Sequence, residues 1–95
     1  MQNKDEEILA IAQEECAEVI QAISKIFRFG YLARHPDEHF SNRQRLEEEL
    51  GDLQCMINLM IDCGIVTEEA LLKAEAKKLE KLKKWSNIFE GETLQ

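Results

Sequence analysis

The sequence has one proline, four glycines, no C-x-x-C pair, no basic segment standing apart from acidic neighbours and no long apolar run. Each scarcity removes a class of protein. So little Pro and Gly, beside 44% hydrophobic and 33% charged residues, suits a folded helical chain rather than a disordered one. No apolar stretch approaches the roughly 18 residues of a membrane span, so no membrane partner is expected. The opening Met1-Gln2-Asn3-Lys4-Asp5-Glu6-Glu7 lacks the basic and apolar regions of a signal peptide, and a cytoplasmic location is expected. With a net charge of −7 and its basic residues dispersed, the chain is not expected to bind a nucleic acid polymer through the phosphate backbone. The three cysteines, Cys16, Cys55 and Cys63, indicate neither a disulfide framework nor a zinc knuckle. Inside helical patterns they read as small, buried apolar side chains. A chain of 95 residues makes one domain with a modest core, which makes self-association plausible from size alone.

What is present is helical periodicity. A first helix is expected over about 3–29, with Asp5, Glu6 and Glu7 in the opening turn, where negative charge suits the helix dipole, and Gly30 ending it. Residues 30–41 hold the only proline and no sustained period, and read as one long loop. Ser41-Asn42-Arg43-Gln44 fits a capping box that opens a second helix over about 42–63, stopped by Gly64. Thr67-Glu68-Glu69 caps a third, over about 67–88, whose lysines cluster toward its C-terminal end. Residues 1–95 are expected to form a single all-α domain, a helical bundle.

Two acidic pairs stand out: Glu15 with Glu18, and Glu49 with Asp52. Each is spaced i, i+3, which sets both acids on one face of a helix. At about 100° per residue, Glu15 falls within an arc of roughly 80° that also holds Ile8, Ile11, Val19, Ala22 and Ile26. Glu18 lies at its edge. Glu49 sits among Leu53, Met56 and Met60, and Asp52 between Met56 and Leu59. Glu6, Glu7, Glu14, Glu47 and Glu48 fall mostly off those stripes and read as solvent-facing charge.

Gathering carboxylates is costly, since two charges ~4 Å apart repel by about 4 kcal/mol at an effective dielectric of 20. Something positive must compensate, and the lysines near this face, such as Lys25 and Lys78, are too few. Divalent metal answers better. Both histidines lie in the loop, so the helical ligands are oxygen only, which favours Mg²⁺ or Mn²⁺ over zinc or iron. The Glu-x-x-His of di-iron bundles is missing. His35 and His39 flank Pro36, which breaks any helix there, and a metal site on that pair is not expected.

The second helix is apolar around well over half of its circumference, through Leu46, Leu50, Leu53, Met56, Ile57, Leu59, Met60, Ile61 and Cys63. A helix apolar on several sides is buried on several sides. Three helices cannot easily wrap it, so a homodimer with a four-helix core is the minimum expected, and a homotetramer stays open.

These residues resemble a known family. Glu15-x-x-Glu18 within Glu-Glu-Cys-Ala-Glu-Val-Ile-Gln-Ala, followed by Leu46-Glu-Glu-Glu-Leu-Gly-Asp52-Leu, is similar to the MazG-like, all-α nucleoside triphosphate pyrophosphohydrolases. The resemblance covers about residues 10–85. It implies that Glu15, Glu18, Glu49 and Asp52 bind Mg²⁺ and that the α–β bond of a nucleoside triphosphate is cleaved to a monophosphate and pyrophosphate. That chemistry needs neutralised phosphate charge and an activated water, with no protein nucleophile. An acid not fully engaged by metal accepts the water's proton, and Glu18 is the choice here.

Lys25, nearly above Glu18 on the same face, is a candidate phosphate contact, against a plain snorkelling lysine. The family's basic residues on the last helix suggest Lys78, and after it Lys81, although a basic helix C-terminus needs no functional reason. Arg28-Phe29-Gly30-Tyr31 and Asn42 flank the loop in a way similar to small family members. Phe29 or Tyr31 would stack on a base and Asn42 would hydrogen-bond it, against core or capping roles. A single module without appended domains leaves regulatory roles in doubt. Beside the leading function, house-cleaning of (deoxy)nucleoside triphosphates, two alternatives stand. One is a phosphoribosyl-ATP pyrophosphohydrolase, and the other is a non-catalytic helical module that binds a partner.

Overall fold

The computed structural model describes residues 3–34, 36 and 39–91. Three α-helices run in order, α1 (Asn3–Phe29), α2 (Asn42–Asp62) and α3 (Glu68–Trp85), with no strand among the described residues. The fold is all-α. His35 of the loop pair lies outside the described residues.

Local chemistry sets the helix ends. Asp5 and Glu6 occupy the first turn of α1 and Arg28 its last, each where the dipole favours its charge. Gly30, at φ +90°, closes the helix by donating its N–H to Ile26 O at 2.8 Å, a left-handed conformation open to glycine without a Cβ penalty. Ser41 caps α2: its Oγ accepts from Gln44 N at 3.2 Å, and Gln44 Oε1 accepts from Ser41 N at 2.9 Å. That reciprocal pair satisfies two otherwise orphaned N–H groups. The far end closes through Gly64, at φ +74°, and through Ile65 N donating to Met60 O at 2.8 Å. Thr67 Oγ1 accepts from Ala70 N at 3.2 Å and caps α3. The helix stops at Trp85, short of Ile88, because Ser86 turns extended and its Oγ donates to Leu82 O at 2.7 Å.

The chain divides into two compact units, Met1–Ile65 and Val66–Gln95. In the first, Ile8, Ala12 and Met56 form a buried cluster, with Ile11, Met60, Cys63 and Ile65 packed against it. The start of α1 therefore meets the end of α2. At the other end, Asn42 Nδ2 donates to Lys25 O and Gly30 O, so the start of α2 meets the end of α1. The two helices are antiparallel, and their midpoints face each other. Cys16 and Cys55 correct an expectation, since both are exposed and only Cys63 is partly buried. Within one chain, each of these helices buries a single stripe, and those two thiols lie off it. Glu6, Glu7, Glu14, Glu47 and Glu48 are exposed, as the periodicity predicts.

In the second unit, α3 exposes Leu71, Leu72 and Leu79, together with Trp85 and the following Ile88. Its ion pairs, Lys73–Glu69 at 3.3 Å and Lys83–Glu80 at 3.1 Å, are surface pairs one turn apart. Pairs of this kind contribute only about 0.3–0.5 kcal/mol each.

Candidate metal centre

Antiparallel packing with Ile8 and Ala12 against Met56, and Lys25 against Asn42, brings Glu15 of α1 opposite Glu49 and Asp52 of α2. One carboxylate oxygen from each of the three lies within 4.8 Å of the others. Glu49 is buried, at 8% exposure, Glu15 is half-buried and Asp52 is exposed. Around one Mg²⁺, oxygens at about 2.1 Å stand about 3.0 Å apart when adjacent and about 4.2 Å apart when opposite. The three carboxylates would therefore have to draw closer together to share one ion. With oxygen donors only, the set fits a hard cation.

The electrostatics point the same way. Burial, then Asp52, Glu18, Glu15 and Glu48, push the Glu49 carboxyl above the usual carboxylate range. Burial, followed by Asp52, Glu18 and Glu14, raises Glu15. Desolvation and like charges both disfavour an anion, so the pair holds unrelieved negative charge that a bound cation would offset.

Glu18 stands apart from the trio. It is exposed and lines a hollow of about 200 Å³ with Gln21, Ala22, Lys25, Arg45 and Glu49. Ligand pockets typically run to about 300–1,000 Å³, so this one takes a fragment the size of a phosphate chain rather than a whole nucleotide. Lys25 and Arg45 supply its positive side.

Arg45 was not among the residues singled out from the sequence. Its Nη1 lies 3.4 Å from Glu48 Oε2 and 3.9 Å from Glu49 Oε1, and its guanidinium lies 5.9 Å from the centre of the Phe40 ring. A signal existed. Arg45 precedes Glu49 by one helical turn, the i, i+4 spacing that sets it on the acid's own face.

The loop candidates divide. Phe29 and Tyr31 are exposed, and Arg28 covers the Phe29 ring at 5.0 Å from its centre. Asn42 is buried, and its amide is turned to the backbone oxygens of Gly30 and Lys25 rather than outward. Lys78 and Lys81 are exposed on α3, in the second unit.

Among known protein families, the model of the MazG nucleotide pyrophosphohydrolase domain matches residues 3–86. No curated protein and no solved structure matches the chain.

Proposed function

The chain belongs to the MazG nucleotide pyrophosphohydrolase family, and on that premise we propose that it hydrolyses canonical or modified (deoxy)nucleoside triphosphates to the monophosphate and pyrophosphate, using Mg²⁺ or, in its place, Mn²⁺. The observation that carries this reading is the convergence of Glu15, Glu49 and Asp52 within 4.8 Å beside a hollow edged by Lys25 and Arg45. Acids that merely aid solubility have no reason to crowd at a buried helix contact.

Glu15, Glu49 and Asp52 would hold the cation, with Glu18 able to join them. Bound Mg²⁺ or Mn²⁺ supplies charge neutralisation on the phosphate oxygens and acidifies a water. The protein's own groups do the rest. Lys25 and Arg45 contact the phosphate oxygens and fix the chain in the hollow. Glu18, exposed at the edge, accepts the proton released as water adds to phosphorus, while the α–β bridging oxygen departs with the pyrophosphate. The exposed ring of Tyr31, and the face of Phe29 that Arg28 leaves open, suit stacking on a base.

The family match crosses both units, which supports reading residues 1–95 as one domain. Ile20, Phe27, Leu50 and Leu59 of α1 and α2 stay exposed in the single chain, which supports a homodimer or homotetramer that covers them. No helix among the described residues is long and apolar enough to cross a membrane, and the reading places the reaction in the cytoplasm.

The test is product analysis over a panel of ribo- and deoxynucleoside triphosphates and phosphoribosyl-ATP. Equimolar monophosphate and pyrophosphate, lost on adding EDTA, is expected for the nucleoside triphosphates. Turnover of phosphoribosyl-ATP alone would move the assignment to histidine synthesis, and no pyrophosphate from any substrate would leave a non-catalytic module.

A further inference from the structure

Asn42 is the first residue of α2, immediately after the Ser41 cap, and is only 8% exposed. Such a position needs no amide, because the orphaned N–H groups there are served by the cap. Yet its Nδ2 donates to Gly30 O at 3.0 Å and to Lys25 O at 3.4 Å, spanning the last turn of α1. Its own backbone N–H donates to Ala33 O at 2.8 Å, and the next residue's, Arg43 N, to Tyr31 O at 2.9 Å. Asn42, with the backbone of its neighbour Arg43, thus stitches the end of α1 and the start of the loop to the start of α2. Lys25 belongs to that turn, and it lines the hollow opposite Arg45 and Glu49.

We infer that Asn42 is a positioning residue: its buried amide clamps the last turn of α1 onto α2 and so holds Lys25 beside the hollow for the phosphate chain. This rests on the nucleotide reading above. Lys25 is exposed, and among the described residues the amide of Asn42 makes the one hydrogen bond that ties it to α2. The bond fixes the backbone from which the Lys25 side chain extends, so less segment ordering is left to occur on binding, and that difference appears as affinity.

Two variants separate the clamp from bulk stability. Asn42→Asp keeps the size and places an acid in the first turn of a helix, where the dipole favours it, but it offers no N–H to the two carbonyls. Asn42→Ala removes the donor without adding charge. A cycle with Lys25→Ala reads the coupling, using the full chain with Mn²⁺ and a non-hydrolysable deoxynucleoside triphosphate analogue. Each single substitution is expected to weaken the analogue about tenfold, and the double variants no further than Lys25→Ala alone. In turnover, the Asn42 variants should raise KM and leave kcat within about twofold, with Mn²⁺ affinity unchanged. Losses that multiply to about a hundredfold, or Asn42 variants that change only the melting temperature, would overturn the clamp while the nucleotide reading stands. A wild-type chain that does not bind the analogue with Mn²⁺ would remove both.

Discussion

Arg45 Nη1 lies 3.9 Å from Oε1 of Glu49, one turn along α2, and still the Glu49 carboxyl sits above the usual range. A lone cation at that distance would lower it. Burial and the charges of Asp52, Glu18, Glu15 and Glu48 act in the opposite direction and prevail. The centre is thus short of positive charge even with its arginine in place, the electrostatic condition of a cation site.

Glu49 is the most buried of the acids, so its loss should be felt most in turnover. Glu49→Gln keeps the shape and removes the charge, and kcat/KM should fall by at least about a hundredfold, equivalent to about 2.7 kcal/mol of transition-state stabilisation. Steady-state pyrophosphate release measures it, alongside circular dichroism that should show unchanged helix content. Activity within a few-fold of wild type would exclude the ligand role.

The raised carboxyls also set a pH dependence in the metal-free protein. A carboxyl with a higher pKa folded than unfolded binds protons better in the folded state. Its contribution is complete below the unfolded value of about 4.3 and is lost as pH rises through the folded one. In EDTA, the melting temperature of wild type relative to Glu49→Gln should therefore decline as pH rises from about 4.5 into the neutral range. A difference independent of pH would show that Glu49 titrates as an ordinary carboxyl.

Much of this was legible in the chain because it is local. Helix ends follow from Ser41, Gln44, Thr67, Gly30 and Gly64, whose hydrogen bonds or backbone angles need only near neighbours. The buried Glu49 and half-buried Glu15 follow from their place on apolar stripes. What escaped depended on the other helix. Arg45 counts because α1 brings Lys25 and Glu18 across from it, and Asn42 turns inward because Gly30 and Lys25 present carbonyls there. Cys16 and Cys55 looked buried by type, but exposure is decided by which faces of α1 and α2 find a neighbour.

The capping box gives a stability prediction independent of the site. Ser41 is 6% exposed and holds Gln44 through both halves of the pair. Ser41→Ala should cost about 1 kcal/mol, a drop of roughly 4–8 °C for a domain of this size. Thermal melting checks it, and an unchanged midpoint would mean that the cap contributes nothing net.

The exposed apolar residues predict association. Ile20 is 65% and Phe27 86% exposed, about two turns apart on one face of α1. Surfaces of this kind mark contacts when they form contiguous patches. Sedimentation equilibrium should give the wild type a mass of at least twice the chain's 11.0 kDa. The pair Ile20→Lys with Phe27→Lys should shift it toward the single chain, and a monomeric wild type would end the four-helix proposal.

Direct titration with Mn²⁺, followed by calorimetry or by the loss of the free-ion paramagnetic signal, probes the convergence of the acids themselves. Wild type should bind saturably, and Glu15→Gln, Glu49→Gln and Asp52→Asn should each weaken binding about tenfold or more, roughly 1.4 kcal/mol. Glu47→Gln, on the exposed side of α2, should leave it unchanged. Equal affinity in all four variants, or no saturable binding by wild type, would contradict a cation centre on these helices.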